Sequence, residues 1–280
     1  MFYHSHNRIF FVVCLFFLVG ISHAQRSPPA LSELAVEPFQ IFDNFYFVGT
    51  GDVGSYVIKT DSGLILIDTL FGMEYVGYLV ENMRKLGLDI SDTKYVLILQ
   101  GHWDHYGGAR ELQDEYTSAV FGATEEDWIM IESDLGDRAP QRDLIIKDGD
   151  TLTLGELTIH FKHTPGHTPG TISMRFPVFD NGRRHEAHFH GGSALRSDDP
   201  EVARRFLADF ERIKEIPGIE VQISNHARIH AQGVDNIFER AERLAARQPG
   251  DPHPWIAPDE FQAWLDEKIL ATRDWLQQAR

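Results

Sequence analysis

Three short stretches of this 280-residue chain gather the side chains that could do chemistry. Gln100-Gly-His102-Trp-Asp104-His105-Tyr-Gly107-Gly108 places a carboxamide, two imidazoles and a carboxylate in one short loop. His163-Thr-Pro-Gly-His167-Thr-Pro-Gly170 holds His167 between two Pro-Gly turns, and Ser224-Asn225-His226 supplies another imidazole. Imidazole nitrogen and carboxylate oxygen are donors that zinc takes. Bound zinc acidifies water and polarises a carbonyl or phosphoryl oxygen, so the chemistry on offer is hydrolysis. A histidine by itself is more often a surface or hydrogen-bonded core residue than a ligand. His160, His163, His185, His188, His230 and His253 are read in that ordinary way.

What sets the other histidines apart is the elements that must position them. Tyr95 to Leu99 is a β-rich apolar run, read as a buried strand, and Gln100 follows it directly. Strands at Leu157–Phe161 and Val221–Ser224 precede His167 and His226 in the same way. A strand end lets a rigid sheet hold polar groups over an open pocket. In an extended loop, residues 100, 102 and 104 project to one side while His105 points elsewhere, so one loop could serve two ions. Gly107 and Gly108 let the chain turn into a helix over 107–116. Upstream, Phe45–Val48, Ser55–Ile58 and Leu64–Ile67 read as strands of an antiparallel meander, with a hairpin through Gly49, Gly51 and Gly54. Helical spacing runs from Glu74 to Leu86, Thr124 to Ile131, Pro200 to Ile216, Val234 to Ala246, and from Pro258 onward; further strands fall at 171–176 and 187–190. Strands followed by alternating helices and strands make a layered α/β domain, sheets inside and helices outside.

On these residues the chain resembles the metallo-β-lactamase superfamily over essentially its whole mature length. The family motif His-x-His-x-Asp-His is met at 100–105 in every position but the first. The Thr-Pro-Gly-His-Thr-Pro-Gly segment and His226 correspond to the later histidine motifs, and Gly63-Leu-Ile-Leu-Ile-Asp-Thr69 to the strand before the metal helix. The resemblance implies a four-layer αβ/βα sandwich of mixed sheets flanked by helices. It further implies one or two zinc ions on Gln100, His102, Asp104, His105, His167 and His226, with Asp104 also catalytic. Asp68 would orient the metal loop from behind.

The resemblance narrows through a missing residue. Two subclasses of metallo-β-lactamase place a cysteine in the second metal site, and the only cysteine here is Cys14, in the leader. The third subclass uses the histidine at His105's place, with a serine where the cysteine would be; Ser193 fits that serine as a substrate-contacting residue. Lactonases and glyoxalase-like thioesterases of the superfamily carry a bridging aspartate there, and Asp198 and Asp199 lie too far along. Pro252-His-Pro-Trp255 and the helix after it also resemble the third subclass. Gln100 departs from the family pattern, although some third-subclass members carry glutamine here. A neutral carboxamide is a weaker ligand than imidazole, so Asp104/His105/His226 should fill before Gln100/His102/His167. The expected activity is β-lactam hydrolysis. The alternatives are a lactone- or ester-hydrolysing relative and a non-catalytic metal-binding relative.

The remaining features set the context. Met1 to Arg8 carry one arginine and two histidines, Ile9 to Ile21 is almost purely apolar, and Ser22-His-Ala24 offers small residues at the cleavage positions. This reads as a signal peptide over 1–24, an extended lead-in over 25–38 and a hydrolase domain over 39–280. The expected location is periplasmic or secreted, with no stable membrane anchor after cleavage. Forty-two acidic against 26 basic residues give a formal charge of −16. That balance argues against nucleic acid as a partner and leaves a small-molecule substrate.

Overall fold

The computed structural model describes residues 27–227 and 236–279. The leader over 1–24, positions 25–26 of the lead-in, His230 and the expected helix start at Val234 lie outside the described residues. Within the lead-in the chain is not wholly extended: Leu31–Leu34 makes one helical turn, α1. The antiparallel meander is present as β1 (Phe39–Phe42), β2 (Phe45–Phe47), β3 (Tyr56–Thr60) and β4 (Gly63–Ile67). The glycine stretch between β2 and β3 closes as a hairpin, with Val48 N donating to Ser55 O at 2.9 Å. After α2 (Glu74–Lys85), the strands β5 (Thr93–Leu97), β6 (Val120–Ala123) and β7 (Leu144–Ile145) add in parallel. They complete a seven-stranded sheet in the order β1-β2-β3-β4-β5-β6-β7. Between β5 and β6 lie α3 (Trp103–Tyr106), α4 (Ala109–Glu111) and a wider-wound turn at Leu112–Tyr116; between β6 and β7 lies α5 (Glu125–Leu135).

The second sheet has five strands, β8 (Thr151–Leu154), β9 (Leu157–His163), β10 (Ile172–Asp180), β11 (Arg183–His190) and β12 (Ile219–Ser224). Only β11 and β12 pair in parallel. Helices α6 (Pro200–Lys214), α7 (Ile237–Ala246) and α8 (Pro258–Gln278) follow β11 and β12. Asn236 caps α7 in a reciprocal box with Glu239, which accounts for a start at Ile237.

Alternation along β3 and β4 explains the layering. Tyr56, Ile58, Ile65 and Ile67 face the second sheet in the central core. Val57, Leu64 and Leu66 face the other way, against Tyr75, Val76, Leu79 and Met83 of α2. Both faces are covered, so the strands read as continuous apolar runs. A third cluster packs Phe206, Phe210 and Ile213 of α6 against Phe261, Trp264 and Leu265 of α8 over the second sheet. Each such side chain contributes about 1.5–3 kcal/mol by leaving water. The result is a mixed-sheet α/β sandwich with helices on both outer faces.

Candidate metal centre

Five strands running in one sense end at the same rim. β4 ends before Asp68, β5 before Gln100, β9 before His167, β11 before Gly191 and β12 before His226. The two sheets are tied there by Ile172 N donating to Leu99 O at 3.0 Å and Tyr56 Oη donating to Ser224 O at 2.8 Å. The chain bends through Gln100–His102 instead of running straight, and only at His102 is the backbone extended, at φ −91 and ψ 147. The helix then starts at Trp103 rather than 107, so Asp104 and His105 sit on a helical turn instead of an extended loop. That turn swings His105 inward, where the side chain is fully buried. Thr69 holds it by donating both N and Oγ1 to His105 O, at 2.7 and 3.0 Å.

The side chains gather in two clusters. Asp104 Oδ2 lies 3.2 Å from His105 Nε2 and 3.6 Å from His226 Nε2, and the two Nε2 atoms are 3.4 Å apart. All three residues offer ligand atoms within 4.8 Å of one another, close enough to share a metal ion. Beside them the Gln100 carboxamide oxygen faces His102 Nδ1 at 2.5 Å, and the His102 and His167 rings stand edge to face at 4.9 Å. Gln100 is fully buried, and its Nε2 has no hydrogen-bond partner among the described residues.

Outer hydrogen bonds decide which ring nitrogens are free. His167 Nδ1 lies 2.9 Å from Ala194 O. A carbonyl only accepts, so Nδ1 carries the proton and Nε2 presents a lone pair. Burial pushes His167 down to about 3, with the charges of His102 and Arg196 helping, so the ring stays neutral. His105 Nδ1 lies 2.8 Å from Asp68 Oδ2, while Asp68 Oδ1 accepts from Leu99 N at 2.9 Å. Asp68 is buried at φ 58, a strained backbone for a non-glycine residue. Burial works against a charged His105, yet the Asp68 and Asp104 carboxylates raise it to about 10. Burial likewise works against the Asp104 anion, but His105 and His226 hold it well below the usual carboxylate range. A divalent cation here would meet the same negative charge and displace the proton, as a metal-binding donor set requires.

The clusters open into a cleft of about 260 Å³ whose walls include Phe71, Trp103 and Arg196. A larger groove of about 610 Å³ begins at His102 and runs along α5 past Ile129 and Met130. Of the expected site residues, all six ligand candidates and Asp68 come together. Ser193 is buried in the loop after β11, and the residue of that loop lining the cleft is Arg196. Arg196 and Phe71 escaped the sequence reading, because nothing local tells which residue of an irregular loop turns inward. Of the described histidines given an ordinary role, His253 Nε2 donates to Ile41 O at 2.9 Å, His185 pairs with Glu220 at 3.0 Å and His163 Nε2 lies 2.9 Å from Pro169 O.

Mixed sheets carrying paired donor clusters on a common rim define a metallohydrolase scaffold. The chain belongs to the metallo-β-lactamase superfamily, whose family model matches residues 48–178. By sequence it is 31% identical over 150 residues to the hydroxyacylglutathione hydrolase GloC of Haemophilus influenzae, covering 50% of this chain and 68% of that one. By structure it is similar to BJP-1, a subclass B3 metallo-β-lactamase of Bradyrhizobium japonicum. That likeness has 30% identity and a TM-score of 0.73, over 87% of this chain and 95% of the other. GOB-18, a metallo-β-lactamase from Elizabethkingia meningoseptica, matches at 26% identity and a TM-score of 0.72 over 90% of this chain and 97% of that one.

Proposed function

We propose that this chain is an exported zinc hydrolase that opens β-lactam rings. Gln100, His102 and His167 hold one ion; Asp104, His105 and His226 hold the other, which binds first. The observation that carries the reading is the position of His105, whose Nε2 meets Asp104 and His226 at 3.2 and 3.4 Å. The second cluster is thereby completed by imidazole. The loop after β11 brings Gly191-Gly192-Ser193 to the rim, with no carboxylate to bridge two ions. The likeness to BJP-1 over 95% of its length supports the same branch.

Bound zinc would supply a water acidified toward neutrality and a Lewis acid for the carbonyl and the leaving nitrogen. Asp104, an anion throughout the neutral range, accepts a hydrogen bond from the attacking water and aims it at the ring carbonyl. Arg196, at the cleft wall, offers its guanidinium to the substrate's carboxylate. Phe71 and Trp103, 5.6 Å apart edge to face, shield the opposite side from water.

A second reading, thioester hydrolysis, has one observation in its favour: the relatives matched by sequence include hydroxyacylglutathione hydrolases. The test is turnover of a chromogenic cephalosporin, a penicillin, a carbapenem and a lactoyl thioester of glutathione by the zinc-loaded protein, with His102→Ala as control. Lactam turnover about a hundredfold above the control is expected. Thioester turnover with no lactam turnover above control would replace the first reading by the second. Export is checked separately: periplasmic protein should begin at Gln25, and an intact leader in a cytoplasmic product would remove that part.

A further inference from the structure

Each donor cluster has a buried carboxylate behind it. For the second cluster it is Asp68, bonded directly to His105. Behind the first cluster lies Asp127, in the first turn of α5, 1% exposed and outside every motif noted in the sequence. Its Oδ1 accepts from Gly170 N at 3.0 Å and its Oδ2 from Thr168 Oγ1 at 2.9 Å. The backbone N–H of Gly101 also donates to it. Gly101 adjoins Gln100 and His102, and Thr168 adjoins His167. One carboxylate therefore grips two loops that come from different sheets, one residue away from each candidate donor of the first cluster.

The fit leaves no slack. A Cβ on Gly101 would stand 2.9 Å from Asp127 Oδ1, and one on Gly170 would stand 2.6 Å from Asp127 Cγ. Thr124 at the α5 cap reinforces the grip, accepting from Asp127 N at 3.4 Å and donating to Gly170 O at 2.8 Å. Burial pushes the Asp127 carboxyl up to about 7 even with these donors, so a charge here is costly and the three bonds are what offset it. The first cluster also has the greater need of outside support. Its third donor is a neutral carboxamide, so the spacing of His102 and His167 must be set by something other than ligand charge.

We propose that Asp127 is a positioning residue for the first metal site, setting the separation of His102 and His167 by joining the Gly101 and Thr168–Gly170 backbones. The proposal rests on the two-site zinc reading above. Asp127→Asn keeps the shape but turns an amide N–H₂ toward donors, which breaks at least one bond of the clamp.

The experiment is zinc titration of the full chain to millimolar concentration, against a chromophoric chelator for the tight step and by calorimetry for the loose one. Wild type, Asp127→Asn, Asp68→Asn and Asn44→Ala are compared, each with a thermal melt. Expected for Asp127→Asn is a loose step weakened about 10–100-fold with the tight step unchanged. Asp68→Asn should show the reverse. Asn44→Ala, which removes the bonds to Pro177 O and from Phe179 N at the end of β10 away from the rim, should lower stability and move neither step. Equal losses in both steps, or no change in the loose one, overturn the proposal while leaving the two-site reading intact. If Asp127→Asn fails to fold, Thr168→Val removes the Oδ2 bond alone and is read by the same split. A wild-type chain binding fewer than two zinc ions at millimolar zinc overturns the two-site reading and this inference together.

Discussion

At the scale of single residues, chemistry here depends on groups differing widely in how readable they are. His102, Asp104, His105, His167 and His226 are marked by type and spacing and lie beyond strand ends, although Asp104 and His105 do so on a helical turn and not in an extended loop. Gln100 stands out because it breaks the motif. Gln100→His should tighten the loose zinc step by roughly tenfold or more, since imidazole is the stronger donor, and a chelator competition would show it. Arg196 and Asp127 carry no local signature. One lies in an irregular loop and the other in an amphipathic turn, and only tertiary packing turns them toward the metal loops. Arg196→Ala should raise KM for an anionic lactam by roughly tenfold with little change in kcat, as expected when a uniform binding contact is lost. A fall in kcat with KM unchanged would assign Arg196 to the chemical step instead.

At the scale of elements, strands with strong apolar runs were legible, and β1, β6, β7 and β8 were not. β6 contains Gly122, β7 has two residues and β8 alternates threonine with leucine. Each is held by its neighbours in the sheet more than by intrinsic preference. The early start of α3 was also missed, although it aims His105 inward. Two glycines test the packing around it. A Cβ on Gly107 would lie 2.3 Å from the Phe71 backbone, whereas one on Gly77, on the exposed face of α2, would meet nothing within 4 Å. Gly107→Ala should cost about 1–3 kcal/mol in a urea melt and displace the metal turn. Gly77→Ala should stabilise by about 0.5–1 kcal/mol. Equal effects at the two positions would contradict the close approach of the 68–73 loop to the metal helix.

At the scale of the whole molecule, acid stability draws on histidines buried between layers, His188 and His190 under α6 and α8, and metal binding on the seam between the sheets. Burial lowers His188 to about 3 and His253 to about 4, and holds His190 well below its ordinary value. The folded chain keeps these rings neutral while the unfolded chain protonates them near pH 6.5. Their contribution is therefore complete above that pH and is lost as pH falls toward the folded values. Each adds up to ~1.4 kcal/mol per pH unit to acid destabilisation. His253→Gln, which still can donate to Ile41 O, should flatten the pH 7.5-to-5.0 change in urea midpoint of the zinc-free protein; an unchanged slope would show that His253 titrates while folded. The seam has another property. Gln100, His102, Asp104 and His105 hang from the first sheet, and His167 and His226 from the second, so neither donor set is complete within one half of the sandwich. An ion shared across that divide would work as a clasp as well as a reagent, adding about 2.7 kcal/mol per site at a hundredfold excess over Kd. Stripping it should quicken amide exchange at 100–105 and 164–170 while β3 and β4 stay protected, so scarcity of metal would be felt first as an opening of the rim.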